Sequence, residues 1–214
     1  MDNPNAETNV SLVAGNWLYP DEHRLGVLLE DIQQRIDSRT EEAQYHPVIV
    51  EFRHLIDTDA IVRMYITEMI KQIPFNPRYN KHRIKDVEQL LSLLNEVLTV
   101  APDYNDTALV GTPFSAILIW TMGTPAGFAA YRNQKINALF KKLLGAWQDF
   151  LNSKQSLYVI NDSSHGWKSA AAQKKLQMQN YQYNPDDKHW GFHSWNDFFT
   201  RSLAPGARPI QEPD

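Results

Sequence analysis

Cysteine is absent from the 214 residues, which excludes disulfide scaffolds, thiol nucleophiles and zinc held by thiolates. A reducing compartment is compatible with that absence. Basic residues are not in excess: 21 Lys and Arg face 25 Asp and Glu, for a net charge of −4. A broad nucleic-acid surface normally shows a basic stripe, so no nucleic-acid partner is expected. The nine glycines are scattered singly, and neither a P-loop nor a dinucleotide fingerprint can be built from them. The opening residues, MDNPNAETNV, have neither the basic start nor the apolar stretch of a secretory signal. One long uncharged interval does exist, between Asp106 and Arg132, and it is long enough to cross a bilayer. Gly111, Pro113, Gly123, Pro125 and Gly127 interrupt it, and its continuous aliphatic part is only Ala116 to Trp120. The pattern predicts a buried helix over Pro113–Met122 and a turn at Gly123-Thr124-Pro125, with membrane association the weakest alternative.

What is present is a globular composition, 43% hydrophobic and 21% charged, which excludes disorder and supplies a core. Apolar residues recur at helical spacing nearly throughout. Asp21–Arg39 carries Leu25, Leu28, Leu29, Ile32 and Ile36. His46-Pro47 opens a short helix with Val50, Phe52, Leu55 and Ile56. Asp57-Thr58-Asp59 offers acceptors for a new N-terminus, followed by Ile61–Ile73 up to Pro74. Phe75–Asn80 reads as loop. Ile84–Val100 is a strong helix with Val87, Leu90, Leu91, Leu94, Val97 and Leu98 as its stripe; Pro102 ends it, and Asp103–Gly111 is loop. The longest pattern runs Pro125–Lys154 through Phe128, Tyr131, Ile136, Leu139, Phe140, Leu143, Leu144, Trp147, Phe150 and Leu151. Asn161–Gly166 breaks it. A weaker helix spans Trp167–Asn180, then a polar loop ends at Asp187. Ser194-x-x-Asp197 resembles a capping box with a shortened acid, opening a last helix over Trp195–Leu203 that Pro205-Gly206 closes. No strand pattern, repeat or low-complexity tract is seen, so an all-α fold is expected.

Few groupings point to chemistry. His189 and His193 have the i,i+4 spacing of helical metal ligands, but Gly191 stands between them and the helix begins after Ser194, so no metal site is expected. His46 and His54 near Glu51 lack a third ligand. Ser163-Ser164-His165 places hydroxyls beside an imidazole, yet a triad is assembled in space and needs an orienting group, so turn chemistry explains it better. Lys141-Lys142 and Lys174-Lys175 read as solvated faces. The densest feature is aromatic: Tyr181, Tyr183, Trp190, Phe192, Trp195, Phe198 and Phe199. Such clusters usually form core or interface. Arg201 and Arg208 beside them could bind a carboxylate or phosphate bidentately, or tie down the chain end. No catalytic residue is assigned.

The run Gly191-Phe192-His193-Ser194-Trp195-Asn196-Asp197-Phe198-Phe199-Thr200-Arg201-Ser202-Leu203, then Gly206-Ala207-Arg208-Pro209-Ile210, resembles a stretch that phosphatidylserine decarboxylases carry just before their catalytic domain. Ala126-Gly127-Phe128, Phe140-Lys141-Lys142-Leu143, Trp147, Phe150-Leu151 and Ser153-Lys154 are similar to the helical N-terminal region of soluble members of that family, among them fungal-type tryptophan decarboxylases. The resemblance implies a pyruvoyl-dependent enzyme, whose precursor cleaves itself before the serine of a Gly-Ser pair; the resulting ketone forms a Schiff base with the substrate amine and acts as electron sink. A histidine and an aspartate of the catalytic domain assist that cleavage. None of the nine glycines here precedes a serine, so the cofactor is expected only in a longer parent. The motif residues Gly191, Phe192, Ser194, Trp195, Asp197, Phe198, Phe199, Arg201, Arg208 and Pro209 are carried over as a structural linker.

The expected organisation is a flexible segment 1–16, a helical N-terminal domain 17–190, and a motif segment 191–214 leading toward a catalytic domain outside this chain. The expected role is that of an accessory or scaffold region of a cytoplasmic decarboxylase, partnered by the catalytic domain of the same protein or a second copy of itself. The alternative is a stand-alone interaction or ligand-binding domain without activity.

Overall fold

A computed structural model describes residues 22–40, 44–73, 84–105 and 113–208. The loop expected at Phe75–Asn80, most of that at Asp103–Gly111, and segment 1–16 lie outside them. The described chain is all-α: helices α1 (Glu22–Asp37), α2 (Pro47–Thr58), α3 (Ala60–Lys71), α4 (Val87–Val97), α5 (Pro113–Met122), α6 (Pro125–Arg132), α7 (Gln134–Leu151), α8 (Ala170–Leu176) and α9 (Trp195–Phe199), with short 3₁₀ turns between the last three. Among the described residues no helix is long and apolar enough to cross a membrane. The chain divides into two units, Met1–Glu96 with Phe114–Lys141, and Val97–Pro113 with Lys142–Asp214.

The first unit is built by side chains that cap one helix and start the next. His46 closes the free end of α2, its Nδ1 accepting from the Val48 N–H at 3.2 Å, with Pro47 at the first helical position, where its missing N–H costs nothing. Asp59 ends α2 by donating its N–H to Leu55 and starts α3 by accepting from the N–H groups of Ile61 (3.0 Å) and Val62 (3.1 Å). One carboxylate therefore satisfies two of the amides that a helix start leaves without partners. Val48, Ile49, Phe52 and Ile56 face inward from α2; Val50, expected inside, is exposed. In α3 the inward set is Val62, Ile66, Met69 and Ile70, and this helix packs on α6. Helix α4 begins at Val87 rather than Ile84 and buries Leu90, Leu91, Leu93, Leu94 and Val97. Its buried Glu96 pairs with Arg39, as a charge at that depth requires.

Helix α5 spans the expected Pro113–Met122. The helix expected over Pro125–Lys154 is two, α6 and α7, because Asn133 leaves helical geometry (ψ 127°) and its Oδ1 accepts from the N–H groups of Lys135 (3.0 Å) and Ile136 (3.2 Å). An Asn side chain offers the backbone an alternative to the helical ladder; the apolar rhythm continues across it, which conceals the break. Phe128 and Leu144, both in that rhythm, are exposed. Gly127 is required by close approach: a Cβ there would lie 1.8 Å from the Thr121 carbonyl oxygen, while Thr124 caps α6 by accepting the Gly127 N–H at 2.9 Å.

The second unit collects Tyr104, Leu151, Val159, Ile160, Trp167, Ala172, Met178, Trp190, Trp195 and Phe198 into one buried cluster. The helix expected over Trp167–Asn180 is shorter: Ser169 caps it at Ala170, and Gln177 turns left-handed (φ 50°) after Leu176. The last helix ends at Phe199, not Leu203. Beyond it Ser202 accepts the N–H of Gln182 (2.9 Å) and Ala204 donates to Asn180 (2.8 Å). Those groups find partners across the chain, so the helix has no claim on them.

Candidate functional site

The motif segment belongs to the second unit, and its side chains are tied to a strap of irregular backbone at residues 100–104. The indole N–H groups of Trp167 (2.8 Å) and Trp195 (2.9 Å) both donate to the carbonyl of buried Pro102. The Trp147 indole donates to the Val100 carbonyl at 2.8 Å. The Tyr158 hydroxyl accepts from the Ala101 N–H at 3.0 Å, and the Tyr104 N–H donates to the His165 carbonyl at 2.9 Å. A backbone strap without secondary structure must find such partners or lose about 1–3 kcal/mol per buried group left unpaired.

Helix α9 is seated by three hydroxyl and carboxylate contacts. The buried Ser156 hydroxyl accepts the Trp195 N–H at 2.9 Å and lies 2.7 Å from the Ser153 carbonyl. Ser194 Oγ accepts the Asp197 N–H at 3.1 Å, as the sequence leads one to expect. Asp197 departs from the capping box: its Oδ2 accepts the N–H of His193 at 2.9 Å, one residue earlier than the box prescribes. The same oxygen stands 3.3 Å from His193 Nδ1, on a side chain 84% exposed.

Phe198 is the hub, 1% exposed, with ring centroids 5.3 Å from Trp167, 5.5 Å from Phe192 and 6.3 Å from Trp190. Phe199 faces outward, 51% exposed, and stacks on Trp195 at 4.7 Å. Three consecutive residues at the start of the motif, His189 (φ 53°), Trp190 (φ 58°) and Gly191 (φ 79°), are left-handed. Such a conformation costs a non-glycine residue about 1–3 kcal/mol. It is held by the buried Trp190 ring, by hydrogen bonds from the Asn184 N–H to the Trp190 carbonyl (3.1 Å) and from Trp190 to Asp187 (3.0 Å), and by His189 Nδ1 at 2.7 Å from the Ile160 carbonyl.

Arg201 lies between two rings, its guanidinium carbon 4.2 Å from the Tyr181 centroid and 4.8 Å from that of Phe198. Nη1 donates to the Phe198 carbonyl at 3.0 Å, while Nε is buried with no hydrogen-bond partner. Burial lowers its pKa from the ordinary value, with Tyr181 acting in the opposite direction; an arginine so shifted stays cationic at neutral pH. Among the described residues no carboxylate pairs with it. Arg208 is exposed, and Pro209 lies outside the described residues.

The structure thus gathers Phe192, Ser194, Trp195, Phe198 and Arg201 at one centre, with Asp197 and Phe199 on its rim. It does not assemble the histidines: His189 and His193 are engaged separately, and no group of three His, Cys, Asp or Glu among the described residues could hold a metal. Sequence reasoning missed Pro102 and Ser156. Both accept from donors dozens of residues away, so no local signal marks that role.

Residues 46–176 match the family described as phosphatidylserine decarboxylase. Over 179 residues the chain is 30% identical to the L-tryptophan decarboxylase of Psilocybe cubensis, a match taking in 77% of this chain and 38% of that protein. It is 30% identical over 201 residues to the L-tryptophan decarboxylase of Psilocybe cyanescens, covering 86% and 43%. With decarboxylase iboD of Amanita muscaria it shares 31% identity over 112 residues, covering 49% and 32%. The chain therefore spans less than half the length of these curated relatives.

Proposed function

The chain belongs to the phosphatidylserine decarboxylase family, and on that premise we propose that it is the helical accessory region of a longer, cytoplasmic, pyruvoyl-dependent decarboxylase acting on an amine-bearing carboxylate. The observation that carries this reading is one of extent: the match takes in 38% and 43% of the two tryptophan decarboxylases. None of the nine glycines precedes a serine, so the residues present do not fit the making of a pyruvoyl group. When present, that group supplies an electron sink for loss of the carboxylate. No step of that chemistry runs through this chain.

What the chain itself does is hold shape. Residues 100–104 and α9 lock each other through Pro102, Ser156 and the indoles, so the motif segment is held in one defined geometry within the second unit. An aromatic amino acid is the preferred substrate class, since two of the relatives are described as tryptophan decarboxylases.

The test compares the 214-residue chain with a polypeptide that extends it through a region containing a Gly-Ser pair. Each is supplied with tryptophan, other aromatic amino acids and phosphatidylserine, and the amine product is measured. The longer polypeptide should form amine and the shorter should not. Amine formation by the 214-residue chain, or none by the longer one on any of these substrates, would overturn the reading.

A further inference from the structure

Resting on that reading, we propose that the segment Phe199–Leu203 docks the catalytic part of the longer polypeptide, through a carboxylate of that part set on Arg201 and an apolar side chain set against Phe199 and Leu203. Arg201 is a half-buried cation held between two aromatic rings, with a buried and unpartnered Nε and no carboxylate beside it among the described residues. Removing water from a charge without supplying a counter-charge is unfavourable. An incoming carboxylate restores the balance, and a guanidinium fork binds one bidentately.

The surroundings fit an interface. Leu203 forms an antiparallel bridge with Tyr181, the residue whose ring carries Arg201, so Arg201 and Leu203 meet on the same ring-bearing residue. Leu203 is 37% exposed and Phe199 more so. Neither is needed to fill the cluster, whose centre is already closed by Phe198 and Trp195. Arginine and aromatic side chains flanked by apolar contacts are the residues on which protein interfaces concentrate their energy. The Phe198 carbonyl holds Nη1, so the guanidinium is placed in advance and binding need not immobilise it.

Backbone hydrogen exchange read by mass spectrometry tests this, comparing the 214-residue chain with the longer polypeptide. Amides of residues 199–204 should exchange about 10-fold or more slowly in the longer polypeptide, as expected when a local opening is covered. Leu203→Ser and Phe199→Ser, at exposed positions, should each restore fast exchange, with Leu203→Ser the variant that leaves the Trp195 ring covered. Arg201→Met should do the same, and Arg201→Lys in part, while exchange in α8, which belongs to the same unit, stays unchanged as the check on folding. Equal rates in a longer polypeptide that decarboxylates would refute the docking and leave the functional reading standing. Protection in one that decarboxylates nothing would keep the docking and remove that reading. Protection in the 214-residue chain alone that grows with its concentration would refute the docking too, by naming a second copy as occupant.

Discussion

Two indoles sharing one carbonyl make a prediction of unusual sign. Trp167→Phe or Trp195→Phe removes one N–H···O bond to Pro102, at a net loss of about 1 kcal/mol. The smaller ring forfeits about 1 kcal/mol more of burial, so each single substitution should cost about 2 kcal/mol. In either variant the Pro102 carbonyl keeps a donor. In the double variant it keeps neither, and a buried acceptor left unpaired costs about 1–3 kcal/mol in addition. The double substitution should therefore cost about 5–7 kcal/mol, more than the sum of the singles by about 1 kcal/mol or more, where independent sites add to within about 0.5 kcal/mol. Urea unfolding followed by far-ultraviolet circular dichroism measures all four corners of the cycle. Trp147→Phe provides the control, because its indole uses the Val100 carbonyl; paired with Trp195→Phe it should add without excess. Additivity in the Trp167/Trp195 cycle, or a double variant cheaper than the sum, would show that the shared carbonyl does not couple the two rings.

Ser194→Ala removes the N-cap of α9 and should destabilise the second unit by about 1 kcal/mol, visible as faster amide exchange at Asp197 with Ser194→Asp close to wild type. Gly127→Ala places a methyl against the Thr121 carbonyl and should cost about 3 kcal/mol by overpacking; a lowered Tm in thermal unfolding checks it, and an unchanged one would refute the close approach. Asp59 has its pKa lowered from 3.8, first by the Lys135 side chain, then by the Val62 N–H, with burial opposing. Its contribution to stability is thus fully present above about pH 4 and is lost as pH falls through the lower folded value. Stability measured between pH 5 and 2 should drop less steeply in Asp59→Asn than in wild type, and parallel curves would deny Asp59 that role.

Much of the helical architecture is legible in the residues themselves. Leu90, Leu91 and Leu94 in α4, or Val62, Ile66 and Ile70 in α3, repeat at intervals of three and four, and that rhythm is a property of a dozen neighbours. Caps such as Asp59 and Ser194 are legible for the same reason, their partners lying two or three residues away. The family is legible as a resemblance, because a family pattern is carried by residue type and order. The left-handed turn at His189 and Trp190 is not: the buried Trp190 ring, its bonds to Asp187 and Asn184, and the His189 ring against the Ile160 carbonyl hold two non-glycine residues in that conformation.

By itself the sequence determined that the chain is all-α, where most of its helices lie, and the family to which it belongs. Tertiary structure decided where α9 stops, since the backbone of residues 202–204 pairs with residues 180–182 and leaves the helix. It decided also that Trp167 and Trp195 share the Pro102 carbonyl, and that Arg201 sits between two rings with no acid beside it among the described residues. Those are matters of which buried polar group meets which partner across dozens of residues, and buried polar groups take partners by proximity in space.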